Sequence, residues 1–188
     1  MTSARAPGDP NRFVILDRDG VINVDSRDYI RSPAEWIPLP GSLEAIASLT
    51  RKRVGVVVLT NQSAIGRGLM TESDLEAIHQ RMLDAVAEAG GRIEAIYHCP
   101  HAPQAICDCR KPRPGLFQRF ARDYGVSLAD IPAAGDSYRD LEAARRSGAR
   151  PVLVLTGNGA QTRARLTGTP LDGIEIQDDL AAFARSYR

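Results

Sequence analysis

The sequence predicts a doubly wound, Rossmann-like α/β fold in which one parallel sheet carries helices on both faces. Short continuous apolar runs, at 13–16 (FVIL) and 54–59 (VGVVVL), are typical of strands buried on both sides in such a sheet. Segments with helical periodicity separate the apolar runs, and this alternation favours right-handed crossover connections. Polar clusters directly follow several of these runs, at the edge where α/β sheets bind their ligands.

The remaining elements can be predicted in order from their periodicity and end signals. A helix over 41–52 follows the first strand, and a helix over 71–89 begins at Thr71, a favoured N-cap residue, with Asp74 near its N-terminus. Pro114 suits the first turn of a helix that ends at Tyr124. The other predicted elements are strands at 93–97, 131–135 and 151–155, a helix capped by Ser137 that ends at Gly148, and a closing helix over 178–187.

Composition and charge restrict the class of protein. The 188 residues predict one domain over 1–188, with a Pro/Gly/Ala-rich segment 1–11 that is expected to be flexible. Hydrophobic residues make up 43% of the chain, enough for a core, and the net charge of +1 gives no long-range field for nucleic acid. Because no signal-peptide pattern or membrane-length apolar run occurs, we expect a cytoplasmic protein without a nucleic-acid or membrane partner.

Carboxylates after the first and fourth strands indicate phosphoryl chemistry with a divalent cation. Asp17 and Asp19 follow the strand 13–16, and Asp136 follows the strand 131–135. A carboxylate such as Asp17 can attack phosphorus once the charge of the phosphate is neutralised, and Mg²⁺ prefers carboxylate oxygens. Asp19 is then placed to protonate the leaving group and afterwards to activate water, while Gly20 permits a tight turn.

Two further residue types complete this chemistry. Thr60 offers a hydroxyl and Lys111 a compact positive charge to the transferring phosphoryl group. Any one fragment alone fits an ordinary turn between a strand and a helix. The ordered set Asp-x-Asp-Gly, Thr-Asn-Gln, Arg-Lys-Pro and Gly-Asp-Ser-x-x-Asp instead favours a phosphatase.

The cysteines form a second signal. Cys99, His101, Cys107 and Cys109 lie in one loop, 98–110, and three thiolates with one imidazole match a tetrahedral structural Zn²⁺ site. The spacing is closer than in zinc fingers, so reduced thiols packed in a loop remain an alternative on spacing alone.

The chain resembles the haloacid dehalogenase (HAD) superfamily of phosphatases that use an aspartate nucleophile. Within it, the chain resembles the family of D-glycero-D-manno-heptose 1,7-bisphosphate 7-phosphatases and histidinol-phosphatases. The resemblance runs from Phe13 to about Leu180. It is carried by LDRDGVIN from Leu16, TNQSAIGRG from Thr60, CPHAPQAICDCRKPRPG from Cys99 and GDSYRDLEAARRSGA from Gly135.

The resemblance implies a function and a set of site residues. It implies removal of the 7-phosphate of a heptose 1,7-bisphosphate through a phospho-aspartate at Asp17, giving heptose 1-phosphate. Histidinol-phosphate hydrolysis is the first alternative and a polynucleotide 3′-phosphatase the second; a non-catalytic zinc module is a third. Magnesium would be held by Asp17, the Asp19 backbone carbonyl and Asp136, and zinc would strengthen the loop. The residues that match substrate-binding positions are Asp25, Asn61, Gln62, Ser63, Arg110 and Ser137.

Several expectations concern substrate access. No large cap domain is present in the sequence, so the segment 25–40, with Trp36, and the zinc loop are expected to wall the site of a monomeric enzyme for small phosphate esters. Arg110 is expected to bind a second phosphate, because its planar guanidinium suits an oxyanion. Ala133 and Ala134 make a poor strand sequence, which predicts that Asp136 is loosely held.

Overall fold

Residues 12–187 are described by the computed structural model, so the expectation that 1–11 is flexible lies outside the described residues. Six strands form one sheet in which every neighbouring pair is parallel. The strands are β1 (Phe13–Leu16), β2 (Gly55–Asn61), β3 (Ala95–Cys99), β4 (Pro132–Gly135), β5 (Arg150–Val154) and β6 (Glu175–Gln177).

The strand order β3-β2-β1-β4-β5-β6 is that of a Rossmann-like sheet. The chain winds outward from β1 to β3 and then crosses back to β4 on the other side of β1. Carboxyl ends of β1 and β4 therefore flank the point at which the winding direction reverses, where doubly wound sheets bind ligands. The predicted fold class is confirmed, with one strand more than the sequence predicts.

Seven α-helices and one short 3-10 helix, Pro33–Glu35, connect the strands within residues 12–187. The α-helices are α1 (Ser42–Arg51), α2 (Ser63–Gly66), α3 (Glu72–Glu88), α4 (Gly115–Tyr124), α5 (Tyr138–Ser147), α6 (Gly159–Arg163) and α7 (Leu180–Ser186).

Most predicted elements are present with boundaries shifted by one or two residues. β3 begins and ends two residues later than predicted, because its pairing with β2 continues until Asn61 lies opposite Cys99. Pro114 occupies the N-cap position rather than the first turn, and Asp179 caps the last helix through the backbone N–H of Ala182. The sequence does not predict α2, α6 and β6, which are three to five residues long.

The predicted helix starts at Thr71 and Ser137 are confirmed by their capping hydrogen bonds. The Thr71 hydroxyl accepts a hydrogen bond from the Asp74 N–H, and the Asp74 carboxylate accepts one from the Thr71 N–H. Ser137 and Asp140 form the same reciprocal capping box at the start of α5. Such boxes satisfy backbone donors that the first helical turn leaves free.

Two apolar layers cover the two faces of the sheet. Alternate residues of β1 divide between them: Val14 and Leu16 pack against α1, α3 and α7, whereas Phe13 and Ile15 pack against α4 and α5. This alternation is the period-two pattern of a strand buried on both sides. Across the described chain, no helix is both long and apolar enough to cross a membrane.

Candidate active site

Side chains from four strand ends line one cavity of about 310 Å³ at the reversal point of the sheet. Asp17 follows β1, Thr60 lies at the end of β2, Asp136 follows β4 and Asn158 lies in the loop after β5. The convergence that the sequence predicts is therefore present. Of the residues predicted for catalysis, magnesium and substrate, the cavity is lined by Asp17, Asp19, Asp25, Thr60, Asn61, Gln62, Ser63, Arg110, Lys111 and Asp136.

Lys111 lies at the base of this cavity between two carboxylates. Its Nζ atom is 2.9 Å from Asp17 Oδ1 and 2.6 Å from Asp140 Oδ1, and it also donates to the Leu59 carbonyl oxygen at 2.7 Å. Burial acts to lower the pKa of Lys111, but the charges of Asp140 and Asp17 outweigh it and raise that pKa. Lys111 therefore presents a fixed positive charge beside Asp17.

Asp140 is a site residue that the sequence analysis left out, although it closes the Gly-Asp-Ser-x-x-Asp motif. Its Oδ2 atom accepts hydrogen bonds from the N–H and the hydroxyl of Ser137, and its Oδ1 atom faces Lys111. Burial acts to raise the pKa of Asp140, but Lys111 and Ser137 outweigh it and lower that pKa. Ser137 does not line the cavity; its hydroxyl is used to cap α5.

Asp136 is held firmly, so the prediction that it is loosely held is wrong. Its Oδ2 atom accepts hydrogen bonds from the backbone N–H of Asn158 at 2.7 Å and from Asn158 Nδ2 at 3.0 Å. The short strand before it pairs on both edges, because small alanine side chains fit the crowded centre of the sheet. The loop 157–159 therefore positions a candidate metal ligand.

Two glycines make room for the Asp136 carboxylate. A Cβ atom on Gly20 or on Gly157 would lie 2.3 Å from Asp136 Oδ2, and both residues have positive φ angles, 82° and 55°. Side chains at these positions would collide with the carboxylate and strain the backbone. Gly20 is therefore required by close approach as well as by the turn that the sequence predicts.

Three carboxylates of the cavity form a donor set for a hard cation. Oxygen atoms of Asp17, Asp136 and Asp140 lie within 4.8 Å of one another. Burial, followed by the charge of Asp140, raises the pKa of Asp17 to about 7 and that of Asp136 to about 6. A divalent cation would relieve this repulsion, so the residues present fit Mg²⁺, which prefers a few carboxylate oxygens.

Asp19 lies at the side of the cavity and receives several hydrogen bonds. Arg18 Nε and Nη2 donate to its two oxygens at 3.0 Å each. Asn23 Nδ2 and Gln62 Nε2 donate to it at 2.9 Å each. Arg18 and Asn23 were not predicted as site residues, although both lie in the LDRDGVIN stretch.

Asn61 holds the backbone of Lys111 rather than facing the cavity freely. Its Nδ2 atom donates to the Lys111 carbonyl at 3.2 Å, and its Oδ1 atom accepts from the Lys111 N–H at 3.1 Å. Thr60 is buried beside it, and the Thr60 hydroxyl oxygen accepts from Gln62 Nε2 at 2.9 Å. The Thr-Asn-Gln segment therefore connects the catalytic candidates to one another.

Three arginines line the same cavity as the carboxylates. Arg110 was predicted there; Arg67 and Arg139 also line the cavity and were missed. Burial, followed by the charge of Arg139, lowers the pKa of Arg110, and Arg67 contributes in the same direction. Clustered guanidinium groups of this kind attract an anion, and each can bind phosphate through two N–H groups.

The walls of the cavity agree in part with the prediction. Asp25, Ser26, Tyr29 and Ile30 come from the segment 25–40, and Pro103 comes from the zinc loop. Trp36 does not line the cavity; it is buried in the core layer that includes α1 and α3. A large apolar side chain gains more from burial in that layer than from an exposed position at the rim.

The four predicted zinc ligands come together in space. Their Sγ and Nδ1 atoms lie within 4.8 Å of one another. Sγ of Cys99 lies 3.9 Å from Sγ of Cys107 and 3.2 Å from Sγ of Cys109, and His101 Nδ1 lies 3.5 and 3.2 Å from Sγ of Cys99 and Cys109. Tetrahedral bonds of zinc to sulfur and nitrogen require separations of roughly 3.6–3.8 Å. The donor set fits Zn²⁺, and the four distances of 3.2–3.9 Å lie on either side of the separations that tetrahedral bonding requires.

Neighbouring groups connect this zinc loop to the active-site cavity. Gly66 donates its N–H to the Pro100 carbonyl at 2.8 Å, and Arg110 Nη1 donates to the His101 carbonyl at 3.3 Å. His98 points elsewhere and pairs with Glu72, which agrees with the choice of His101 as the ligand. His79 is half-buried on α3.

Comparisons with known families agree with this geometry. Residues 13–138 match the family described as Polynucleotide kinase 3 phosphatase, and residues 108–182 match one described as HAD-hydrolase-like.

Curated relatives and solved structures are similar over nearly the whole chain. D-glycero-beta-D-manno-heptose-1,7-bisphosphate 7-phosphatase of Bordetella bronchiseptica is 52% identical over 92% of this chain and 96% of the relative. The enzyme of the same description from Pseudomonas aeruginosa is also 52% identical, over 92% of this chain and 95% of the relative. The crystal structure of the B. bronchiseptica D,D-heptose 1,7-bisphosphate phosphatase, complexed with magnesium and phosphate, superimposes with a TM-score of 0.89 over 93% of this chain and 96% of that one.

Proposed function

This chain belongs to the D-glycero-beta-D-manno-heptose-1,7-bisphosphate 7-phosphatase family of HAD-like phosphatases, and we propose that it removes the 7-phosphate of a D-glycero-D-manno-heptose 1,7-bisphosphate. The product is heptose 1-phosphate. The observation that carries this proposal is the cavity itself, which is lined both by carboxylates with Lys111 and by three arginines. A substrate with two phosphates matches both groups of side chains.

The proposed reaction begins with attack by Asp17 on phosphorus. One Asp17 oxygen forms a bond to phosphorus while the bond to the leaving oxygen of the sugar breaks, giving a phospho-aspartate. Asp19 gives its proton to the leaving alkoxide. Lys111 and the Thr60 hydroxyl stabilise the oxygens of the transferring group, and Asp140 and the Asn61 amide fix the position of Lys111.

In the second half, water attacks the phospho-aspartate. Asp19 takes a proton from that water, the Asp17–phosphorus bond breaks, and inorganic phosphate leaves. Asp17, the Asp19 backbone carbonyl and Asp136 are the proposed magnesium ligands, with Asp140 near enough to contribute. A bound magnesium ion supplies charge neutralisation between the substrate phosphate and these carboxylates.

The arginine cluster is proposed to bind the phosphate that is not cleaved. Arg110 reaches into the cavity from the zinc loop, while Arg67 follows α2 and Arg139 lies in the first turn of α5. Asp25 and Ser63, at the cavity wall, are placed for the sugar hydroxyls. Asn61, Gln62 and Ser137 match substrate-binding positions, and their side chains also form hydrogen bonds within the protein that support neighbouring residues.

Zinc is proposed as a structural ion held by Cys99, His101, Cys107 and Cys109. Four protein ligands complete a tetrahedral site and leave no position for a substrate. The bound ion would restrain the loop that carries Arg110 and Lys111. Its role is therefore to fix the two cations of the cavity at a defined distance.

The direct test is phosphate release in the presence of Mg²⁺ from both anomers of the heptose 1,7-bisphosphate and from histidinol phosphate. We expect a clear preference in kcat/KM for one heptose anomer, and complete loss of turnover in Asp17→Asn with an unchanged circular dichroism spectrum. Preference for histidinol phosphate would reject the proposed substrate. Retained turnover in Asp17→Asn would reject the proposed nucleophile.

A polynucleotide 3′-phosphatase is the second candidate, because the family of that description matches residues 13–138. The net charge of +1 speaks against a strand of phosphates as substrate. A 3′-phosphorylated oligonucleotide belongs in the same assay. Turnover of the oligonucleotide above that of the heptose bisphosphate, with strong salt dependence, would favour this candidate.

A further inference from the structure

Arg18, between the two aspartates of the first motif, has no assigned role. Its side chain is completely buried, at 0% exposure, and its guanidinium makes a two-point hydrogen bond with Asp19. We propose that Arg18 is a positioning residue that holds Asp19 for proton transfer to and from the reacting oxygens. This inference rests on the proposed function, since it presupposes that Asp19 is the acid–base residue.

The hydrogen bonds of Asp19 fix its carboxylate in one orientation. Oδ1 accepts from Arg18 Nε and Asn23 Nδ2, and Oδ2 accepts from Arg18 Nη2 and Gln62 Nε2. Because both oxygens accept hydrogen bonds, the carboxylate of Asp19 cannot rotate freely about its Cβ–Cγ bond. Asp19 still lines the cavity, with 21% of its side chain exposed, so the fixed carboxylate faces the substrate space.

The charge balance around Arg18 argues against a purely structural role. Within residues 12–187, Asp19 is the carboxylate with which Arg18 forms its ion pair. His79 lies nearby, but burial and then the charge of Arg18 lower the pKa of His79 to about 3, so its imidazole is neutral and adds no second cation. Burying a guanidinium costs several kcal/mol, and an apolar residue would fill the same space at lower cost.

Gln62 extends this arrangement to the phosphoryl group. Its Nε2 atom donates to Asp19 Oδ2 and to the Thr60 hydroxyl oxygen, and its Oε1 atom accepts from Arg18 Nη2 at 3.2 Å. Both hydrogens of the amide are thereby used inside the protein. The row Arg18–Asp19–Gln62–Thr60 therefore fixes the acid–base residue relative to a group that contacts the phosphate.

The test separates proton transfer from other defects by varying the leaving group. A sugar alkoxide needs a proton as it leaves, whereas p-nitrophenolate does not, and kcat/KM reports the steps up to loss of that group. Rates of Arg18→Met on the heptose bisphosphate and on p-nitrophenyl phosphate are compared with wild type. We expect the ratio of alkyl to aryl kcat/KM to fall by about 10-fold or more. An equal fall for both substrates, or no fall, would overturn the proposal.

Two further variants keep the inference independent of folding and of the proposed function. Gln62→Met removes the other donor to Asp19 Oδ2 and leaves Arg18 in place, so the same selective fall in the alkyl-to-aryl ratio is expected even if Arg18→Met does not fold.

Asp19→Asn is the reference variant, because it removes the proposed acid itself. A selective fall in Asp19→Asn without one in the folded Arg18→Met or in Gln62→Met refutes the inference alone. No selective fall in Asp19→Asn refutes the acid role in the proposed function. If the wild-type protein does not cleave the heptose bisphosphate, another primary sugar phosphate is used as the alkyl substrate when the ratio of alkyl to aryl kcat/KM is measured.

Discussion

The raised pKa of Asp17 predicts a stability that depends on pH in a defined direction. Burial and the charge of Asp140 raise this pKa to about 7 from 3.8, so in the absence of magnesium the folded protein binds a proton that the unfolded chain has released. When folding raises the pKa of a carboxyl group, folding becomes less favourable as the pH rises from the group's pKa in the unfolded chain to its pKa in the folded protein. Asp17→Asn imitates the protonated form and removes this titration. We therefore expect Asp17→Asn to be more stable than wild type, increasingly so toward pH 8.

The magnitude follows from the two pKa values. The limiting difference between Asp17→Asn and wild type is about 2 kcal/mol at pH 5 and about 4 kcal/mol at pH 8, since one pKa unit corresponds to about 1.36 kcal/mol. The side chain is 12% exposed, and Lys111 retains Asp140 as a partner when Asp17 is neutral. Because partial solvation reduces the limiting values, we expect the difference to grow by about 1–2 kcal/mol between these pH values.

Urea unfolding at pH 5, 6, 7 and 8 measures this difference, in magnesium-free buffer without a chelator that would remove zinc. Asp28→Asn is the control, since it removes an exposed carboxylate from the segment 25–40 and should follow wild type. Addition of Mg²⁺ should reverse the order, because the ion stabilises the protein that retains its ligand. A difference between Asp17→Asn and wild type that stays constant with pH would refute the argument that burial and Asp140 destabilise the charged form.

Three other predictions concern the metal sites. Asn158→Ala removes the Nδ2 donor to Asp136. It should raise the Mg²⁺ concentration for half-maximal activity by about 10-fold, with little change in melting temperature. An unchanged magnesium dependence would contradict the proposed support of Asp136. Gly20→Ala places a Cβ atom 2.3 Å from Asp136 Oδ2, so the free energy of unfolding in urea should fall by about 1–3 kcal/mol. Gly168→Ala is the control, because Gly168 also has a positive φ but has open space around it, so this variant reports the backbone contribution alone. Cys107→Ser should lose zinc by metal analysis and melt at a lower temperature than wild type, and equal melting curves after verified zinc loss would contradict a structural role.

The sequence predicts the sheet well because its central strands are continuous apolar runs. β1 begins and ends at the predicted residues, and the helix boundaries set by Thr71, Ser137 and Gly148 are found where capping chemistry places them. β6 was missed because Glu175–Gln177 is a three-residue edge strand with one central apolar residue, too short for a periodic signal. Short elements are defined by neighbours that a single sequence does not reveal.

For the site, the sequence predicts residue types after strands but not which atoms meet. Asp140 was missed because a carboxylate in the first turn of a helix is common as a cap, and only its position opposite Lys111 reveals a second use. Arg67 and Arg139 were missed because isolated arginines on helical segments carry no signal until the fold brings them beside Arg110. Distances between separate segments, rather than motifs, identify these three residues.

The zinc loop and the Thr-Asn-Gln segment act on the same lysine from opposite sides. Cys109 is two residues before Lys111, so a metal bound by Cys109 restrains the chain on that side, while Asn61 holds both backbone groups of Lys111 on the other. Nζ of Lys111 in turn lies 2.9 Å from Oδ1 of Asp17, the proposed nucleophile. Asp17 and Asp140 hold the end of this side chain, whereas a metal bound by Cys109 would hold the loop that carries its backbone. A cation contributes most to a transition state when it is already in position. The proposed zinc ion would therefore act on the proposed chemistry through the placement of one charge, since its four candidate ligands precede Arg110 and Lys111 in the chain.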